Sequence, residues 1–234
     1  MGSSSHLKRL AMPRSWALPR KVLTWVQRPR AGSHSLEMSM SLGVIMRDIV
    51  GVATNQREVR HILHSRQVKV DGSIVTDARR GVGFMDVLTL GEDHYRCVID
   101  TNGRLRYNKI SSSDAEWKIC RINGKSTLKG GITQINLHDG RNILVKDASE
   151  FSTGDTLKIS LPEQKILTHL PFAEGAKAYL TGGSHVGVYE IIKEYIVKRS
   201  SMPNEVNFED FGTIAKYAFI VNDDTPLPLK EVNV

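Results

Sequence analysis

The clearest pattern of apolar and polar positions lies between residues 42 and 87, and it predicts two short helices followed by a β-hairpin. Apolar residues that recur at three- and four-residue spacing indicate one buried face on each helix. Ser41 is placed to cap the first helix, and Thr54 or Asn55 to cap the second. The two apolar faces comprise Leu42, Ile45, Met46, Ile49 and Ala53 in the first helix and Val59, Ile62 and Leu63 in the second.

The hairpin is indicated by Val68 and Val70, which alternate with polar residues before Asp71-Gly72. A two-residue turn requires positive backbone φ angles, which an Asp-Gly pair adopts at low cost. Ile74 and Val75 then begin the returning strand. The sequence therefore predicts a helix-helix-hairpin module over residues 41–100.

Cations occupy the polar positions of this module. On the second helix, the face opposite the apolar one carries Arg57, Arg60, His61, His64 and Arg66. Lys69, Arg79 and Arg80 lie on the adjoining hairpin and loop and complete one predicted RNA-facing patch. The alternative is a solvated basic helix beside an ordinary hairpin, since exposed arginine is common on helices.

The order of these elements resembles the S4-type RNA-binding module. The blocks that carry the resemblance are Arg47-Asp48 in the first helix, the segment 68–72, and the segment Gly83-Phe84-Met85-Asp86-Val87. The resemblance implies that the basic face and the loop from Asp77 to Gly81 contact RNA.

Residues 101–172 have the pattern of an all-β barrel or sandwich. Strand-forming residues flank the Asp139-Gly140 turn, and Leu157, Ile159 and Leu161 alternate with polar residues after Gly154. His138, Asp139 and Asp155 do not indicate an acid-base site, because turn chemistry explains the aspartates and no nucleophile accompanies them.

The segment 173–215 resembles a KOW motif, a small β-barrel. The resemblance rests on the glycines of Thr181-Gly182-Gly183-Ser184-His185-Val186-Gly187, and the chain departs from the pattern at Val188, Tyr189 and Glu190. A phosphate-binding loop is the rival interpretation, but the Gly-Lys-Ser/Thr ending is missing. Residues 190–199 fit either a helix or paired strands. Residues 216–234, with Pro226 and Pro228, are expected to form a mobile or externally docked C-terminal segment.

The net positive charge of the chain is concentrated in its N-terminal segment. The chain has 32 Lys plus Arg against 25 Asp plus Glu, a net charge of +7. Residues 1–36 hold seven of these cations and no acid, which leaves 25 of each sign in the rest of the chain. A cationic arm on a balanced body is typical of a protein that binds a polyanion.

Prolines break any helical period in this N-terminal segment, so residues 1–40 are predicted to form an extended basic arm. Its cations would follow phosphates while Trp16 and Trp25 stack on unpaired bases. The arm should be disordered in the free protein, and its deletion should barely change the melting temperature. An organellar transit peptide is the alternative. With Arg47 and the patch described above, the arm completes the predicted RNA-binding set: Lys8, Arg9, Arg14, Arg20, Lys21, Arg28, Arg30, Arg47, Arg57, Arg60, Arg66, Lys69, Arg79 and Arg80.

Cys97 and Cys120 belong to no Cys-x-x-Cys pair and are expected to be reduced thiols, so neither a metal site nor a cofactor is predicted. No apolar run approaches the roughly 18 residues that span a bilayer, and no signal peptide is recognisable. We therefore expect an intracellular protein that does not contact a membrane.

Several further blocks resemble archaeal and eukaryotic ribosomal protein S4e. They include His6-Leu7-Lys8-Arg9-Leu10, Pro29-Arg30, Gly32-Ser33-His34, Asp100-Thr101-Asn102-Gly103-Arg104, and the long run from Gly131 to Asn142. The resemblance implies a structural constituent of the small ribosomal subunit on the cytoplasmic ribosome. Its partners would be small-subunit ribosomal RNA and neighbouring ribosomal proteins, with no small-molecule substrate and no catalytic residue.

The expected fold class is α+β and multi-domain: a basic arm, a helix-helix-hairpin module, a central β domain and a KOW-like β-barrel. Two other functions remain open at this point. An RNA-modifying enzyme of the pseudouridine-synthase type would join an S4-like module to a catalytic domain much larger than residues 101–172. A free RNA-binding translation or stress factor would share the charge features without requiring the long arm.

Overall fold

The structure is a computed structural model that describes residues 5–222 and Thr225. These residues form two compact units. The first comprises the residues up to Val98 together with Arg104–Glu116, and the second comprises Ile99–Gly103 together with the residues from Trp117 onward. Both are mostly β structure with few helices.

The first unit is built on a five-stranded sheet in the spatial order β5-β4-β7-β8-β9, while β1 pairs with β2 and β3 with β6. Its strands are β1 (His6–Lys8), β2 (Trp25–Gln27), β3 (Ser39–Ser41), β4 (Val68–Val70), β5 (Ser73–Ile74), β6 (Gly81–Gly83), β7 (Val87–Leu90), β8 (Asp93–Ile99) and β9 (Leu105–Ile110). Its helical segments are α1 (Leu42–Val44), a π-helical segment (Ile45–Ile49) that follows directly, α2 (Gln56–His64), and the 3-10 turns Arg9–Ala11, Leu36–Met38 and Asp114–Glu116.

The second predicted helix forms as the sequence indicates. The side-chain oxygen of Asn55 accepts hydrogen bonds from the amides of Arg57 (2.9 Å) and Glu58 (3.0 Å), which caps α2. Val59 and Leu63 are fully buried.

The first predicted helix differs from expectation. Its apolar residues are buried, but the α-helical part is a single turn that continues as a π-helix. Ser41 precedes it without capping it, because the serine hydroxyl donates to the carbonyl oxygen of Gln27 at 3.2 Å. A contact with the N-terminal segment has therefore replaced the local cap.

The predicted hairpin is present. Lys69 pairs with Ile74 and Val70 with Ser73, while Asp71 and Gly72 have φ angles of 50° and 77°. The Asp71 carboxylate also accepts a hydrogen bond from the Val87 amide at 2.8 Å, which fixes the turn against β7.

The described residues of the predicted arm are ordered and partly buried, contrary to the disorder expected in the free chain. β1 and β2 pair as an antiparallel ribbon. Trp16 is 2% exposed, and its indole nitrogen donates to the Ser39 carbonyl at 2.9 Å. The Ser15 carbonyl accepts the Leu105 amide at 2.7 Å. These contacts with the sheet region supply the apolar burial that the segment lacks by itself.

His34, near the end of this N-terminal segment, makes a buried hydrogen bond to Asp86. Its Nε2 lies 2.9 Å from Oδ1 of Asp86, and both side chains are almost completely buried. Gly83 packs so closely that a Cβ there would lie 2.4 Å from the His34 ring. The close approach explains why the chain has glycine at this position.

The second unit contains one five-stranded sheet, β12-β11-β10-β13-β14, and two three-stranded sheets, β16-β15-β20 and β17-β18-β19. Its strands are β10 (Trp117–Thr127), β11 (Thr133–Leu137), β12 (Asn142–Val145), β13 (Thr156–Ser160), β14 (Ile166–Leu170), β15 (Lys177–Leu180), β16 (Tyr189–Ile191), β17 (Glu194–Ile196), β18 (Glu205–Asn207), β19 (Gly212–Ile214) and β20 (Ala218–Ile220), with a 3-10 turn at Ala215–Tyr217.

Alternating side chains of these strands form two cores. The larger sheet buries Cys120, Ile122, Ile135, Leu137, Leu157 and Ile159. The two smaller sheets bury Ala178, Leu180, Ile192, Val206, Phe208, Ala218 and Ile220. The turn predicted at Asp139-Gly140 is present, and residues 190–199 contain strands, which resolves the open alternative.

Two predicted boundaries fall inside sheets. Residues 105–110 extend the sheet of the first unit rather than the central β domain, and residues 218–220 pair with β15. The expected tail around Pro226 and Pro228 lies outside the described residues.

Among the described residues, the helices are too short or too polar to cross a membrane. Cys97 and Cys120 are buried and are not joined in a disulfide.

Candidate nucleic-acid interface

Most of the cations predicted to contact RNA lie on the surface of the first unit. Nine side chains are exposed: Lys8, Arg14, Lys21, Arg30, Arg57, Arg60, Arg66, Lys69 and Arg80. Four are half-buried: Arg20, Arg28, Arg47 and Arg79.

Arg9 is the exception, and its prediction is corrected. The residue is 4% exposed, and its Nε donates to the carbonyl oxygen of Pro19 at 2.6 Å. The guanidinium therefore ties the two halves of the N-terminal segment together instead of facing a phosphate.

Three cations form what we call the loop cluster: Arg30, Arg79 and Arg80. The Arg30 amide donates to the Arg79 carbonyl at 2.8 Å, and the Arg80 guanidinium donates to the Ser33 hydroxyl at 3.2 Å. The Arg30 guanidinium pairs with Asp77 at 2.9 Å. Three cations with one carboxylate leave a local excess of positive charge.

Asp77 orders this cluster. Partial burial disfavours its charged form, but the hydrogen bond from the Arg79 amide and the ion pair with Arg30 outweigh that effect and lower the pKa of Asp77. The carboxylate therefore stays ionised and holds the loop while Arg80 remains exposed.

A second set of basic side chains forms the helix face, defined as Arg57, Arg60, His61 and His64 on α2. All four side chains are exposed. Glu58 is the acid within α2, and its carboxylate accepts from the Thr54 amide at 2.7 Å and the Thr54 hydroxyl at 2.9 Å. These bonds lower the pKa of Glu58 and hold its charge at the start of the helix.

The structure brings the loop cluster together and places the helix face on a separate element. That the two sets form one RNA-facing patch stays a prediction. Arg47 is different again, because its guanidinium makes a two-point pair with the neighbouring Asp48 at 2.9 and 2.7 Å. This hydrogen bonding raises the pKa of Arg47 and offsets its charge locally.

Sequence reasoning missed the outward face of the β1–β2 ribbon. Trp25 is 54% exposed there, opposite Lys8, while Trp16 is buried. The alternation in His6-Leu7-Lys8 and Trp25-Val26-Gln27 is the available signal, but three residues are too few to establish a period of two.

Asp155, in the second unit, has structural contacts. Asp155 accepts from the amides of Ser152 (2.7 Å) and Phe172 (2.8 Å) and lies 2.8 Å from the His169 ring nitrogen. It therefore fastens the loop before β13 to the end of β14.

Cys120, His138 and Asp139 lie close enough together to be considered as metal ligands. However, the fully buried Lys118 ammonium lies 2.7 Å from the Asp139 carboxylate, and Arg141 lies 3.2 Å from the same oxygen. Two cations already neutralise the one carboxylate, which disfavours a further cation there.

Comparison with known proteins identifies relatives over almost the whole chain. A family model described as Ribosomal family S4e matches residues 91–166, and one described as the RS4NT (NUC023) domain matches residues 1–37. The small ribosomal subunit protein eS4 of Methanocaldococcus jannaschii is 41% identical over 240 residues, which covers 97% of each chain. The eS4 protein of Methanothermobacter thermautotrophicus is 42% identical over 231 residues, covering 96% of this chain and 95% of the relative.

The fold has a solved counterpart. The crystal structure of the 30S ribosomal protein S4e from Thermoplasma acidophilum matches with a TM-score of 0.70 and 32% sequence identity, over 80% of this chain and 96% of that chain. The sequence blocks, the mostly β fold and these relatives agree, and the chain therefore belongs to the ribosomal protein family S4e.

Proposed function

We propose that the protein binds ribosomal RNA through the exposed cations of its first unit and serves as a scaffold in translation. It is a structural constituent of the small ribosomal subunit on the cytoplasmic ribosome, and it is not an enzyme. The observation that carries the function is the match to eS4 proteins over 97% of the chain.

The loop cluster and the helix face are the RNA contacts that we favour within the first unit. Their exposed arginines offer several N–H donors each, and a guanidinium matches the geometry of a phosphate. Arg66 and Lys69 extend the set along the chain after α2, and both are exposed. Phosphate neutralisation would supply affinity, while the shape of the RNA and its unpaired segments would supply specificity.

The domain assignment that we propose places the RNA contacts and the protein contacts in different units. We assign the helices and hairpin within residues 41–100 to an S4-like RNA-binding module, β10–β14 to the central β domain, and β15–β20 to a KOW-like domain. In the last of these, Gly182 packs against the Tyr217 ring, where a Cβ would lie 2.6 Å away. Glu190 is half-buried on β16, where it would repel a phosphate, so we assign RNA contact to the first unit and contacts with neighbouring ribosomal proteins to the second.

Sedimentation tests the proposed function directly. An extract containing the native protein is centrifuged through a sucrose gradient at high salt, and the protein is detected in each fraction. We expect it to migrate with small subunits. A position at the top of the gradient would contradict the scaffold function and favour a free RNA-binding factor.

A further inference from the structure

The outer face of the β1–β2 ribbon presents an aromatic ring to solvent. The strand register pairs Lys8 with Trp25 and Leu7 with Val26. Opposite residues of an antiparallel pair share a face, and successive residues alternate between faces. Val26 is 7% exposed and faces the protein, whereas Trp25 is 54% exposed and shares the outer face with Lys8.

His6 shares this face and contacts the indole. The centroids of the His6 and Trp25 rings are 5.7 Å apart, and their planes are inclined by 59°. Because the indole nevertheless remains more than half exposed, His6 supports the ring without covering it. Trp16, by contrast, is committed to the core and is unavailable to a ligand.

The surroundings of Trp25 favour a polyanion. Lys8 lies directly opposite it, and Lys21 is exposed in the segment that leads into β2. Residues 1–36 contain no Asp or Glu, so no carboxylate of this segment offsets the two lysines. A flat exposed ring opposite a lysine, in a segment that carries further positive charge, is a combination that proteins use to bind single-stranded nucleic acid by stacking and phosphate contact.

We propose that Trp25, supported by His6, is a stacking site for an unpaired base of RNA, with Lys8 and Lys21 contacting the adjoining phosphates. The proposal rests on the proposed function, because it names a site within an RNA-binding protein. The exposed apolar side chains of Leu10, Val22 and Leu23 belong to the same segment. They would also suit a protein partner, but the positive charge of this segment, which contains no acidic residue, favours RNA.

The test compares two substitutions of Trp25 on two probes. Trp25→Phe keeps an aromatic face, whereas Trp25→Leu keeps apolar area and removes the ring. The probes are a single-stranded RNA of about 12 nucleotides and an abasic ribose-phosphate chain of the same length, titrated with the full-length protein. Val197→Ala, at a 62% exposed position of the second unit, is the control for loss of apolar surface.

We expect Trp25→Leu to weaken binding to the RNA by about 10-fold, with Trp25→Phe staying within about threefold of the parent chain. Binding to the abasic chain should be unchanged, and so should the salt dependence on the RNA, because no cation has been removed. Lys8→Gln should instead make the slope of log K against log salt shallower by about 0.7. Since Trp25 is exposed, the melting temperatures of Trp25→Leu and Trp25→Phe should match that of the parent.

Two results would overturn the stacking site: equal affinity of Trp25→Leu and the parent for the RNA, or an equal loss of affinity on both probes. Neither of them would affect sedimentation of the parent chain with small subunits. Failure of the proposed function would appear there instead, so the two failures are distinguishable.

Discussion

At the scale of single residues, Arg66 has a backbone conformation that glycine adopts more readily than any other residue. Its φ angle is 60°, and it directly follows Ser65 at the end of α2. A non-glycine residue in the left-handed region costs about 1 kcal/mol, and helices usually end there with glycine. The chain thus keeps an exposed cation at a position that local stability alone would give to glycine.

Arg66→Gly should therefore separate stability from binding. Relief of the backbone conformation is expected to raise the melting temperature by about 2–4 °C, while loss of the cation weakens binding to ribosomal RNA. Arg66→Ala is the matched control, since it removes the same charge and keeps the strained backbone. Thermal unfolding and RNA titration of both variants check this, and a glycine variant with unchanged RNA affinity would remove Arg66 from the interface.

Residue-scale features could be predicted where the cause is local. The Asn55 cap and the Asp71-Gly72 turn follow from chemistry within a few residues, and both are present. Arg9 could not be predicted, because its burial depends on the Pro19 carbonyl ten residues away. Charge by itself does not distinguish a cation that binds phosphate from one that binds the protein's own backbone.

At the scale of elements, α2 depends on a carboxylate at its first turn. Glu58→Ala removes the acceptor for the Thr54 amide and should lower the melting temperature at neutral pH. Because the pKa of Glu58 is lowered from its ordinary value of 4.5, its contribution is present above that value. The contribution is lost as the pH falls through the lowered pKa.

The difference in melting temperature between Glu58→Ala and the parent should therefore shrink as the pH falls below 4.5. Glu92→Ala, at another exposed position of the same unit, is the control and should show little difference at any pH. A difference in melting temperature between Glu58→Ala and the parent that persisted in acid would mean that the carboxylate charge is not what stabilises the helix.

The helix face is tested by reversing its charge. Replacing Arg57 and Arg60 together with Glu should weaken binding to the ribosomal RNA fragment and leave the melting temperature nearly unchanged, because both side chains are exposed opposite the buried Val59 and Leu63. The control changes the charge equally at Lys129 and Lys146 in the second unit, where a smaller loss is expected. A stability loss of several kcal/mol would instead show that the arginines support the core.

At the scale of the whole molecule, the N-terminal segment has two roles that different substitutions can separate. Trp16→Ala should reduce the stability of the first unit by about 3–5 kcal/mol, because a fully packed indole is removed. Replacing the exposed Lys8, Arg14 and Lys21 with Gln should leave stability unchanged. If all three contact phosphates, the slope of log K against log salt becomes shallower by about 2 to 3.

Thermal unfolding and salt-dependent titration on the same variants check both statements. Because Trp16 is buried, we no longer expect deletion of the arm to leave the melting temperature nearly unchanged. The Trp16→Ala and triple Gln variants replace that test. An unchanged salt slope in the triple Gln variant would mean that these cations serve solubility alone.

The overall organisation was only partly predictable. The all-β character of the second unit follows from alternating strands and Asp-Gly turns, which are local signals. The assignment of residues 105–110 to the first unit depends on pairing with strands elsewhere in its sheet, and no periodicity reports which strand lies beside which. The same holds for residues 218–220, which pair directly with β15 although the strands β16–β19 lie between them in the sequence.

The contact between Ser15 and Leu105 has a consequence for how the protein is made. Trp16 also bridges Leu105, so the N-terminal segment is completed by a residue nearly ninety positions later in the chain. At about 5–20 residues per second, synthesis leaves that segment without its partner for roughly 5 to 20 seconds. During that delay the segment, with its seven cations and two tryptophans, lacks its contacts with Leu105 beside a translating ribosome, itself a polyanion. The nascent chain is therefore most exposed to premature association with RNA before Leu105 is synthesised and the first unit can fold completely.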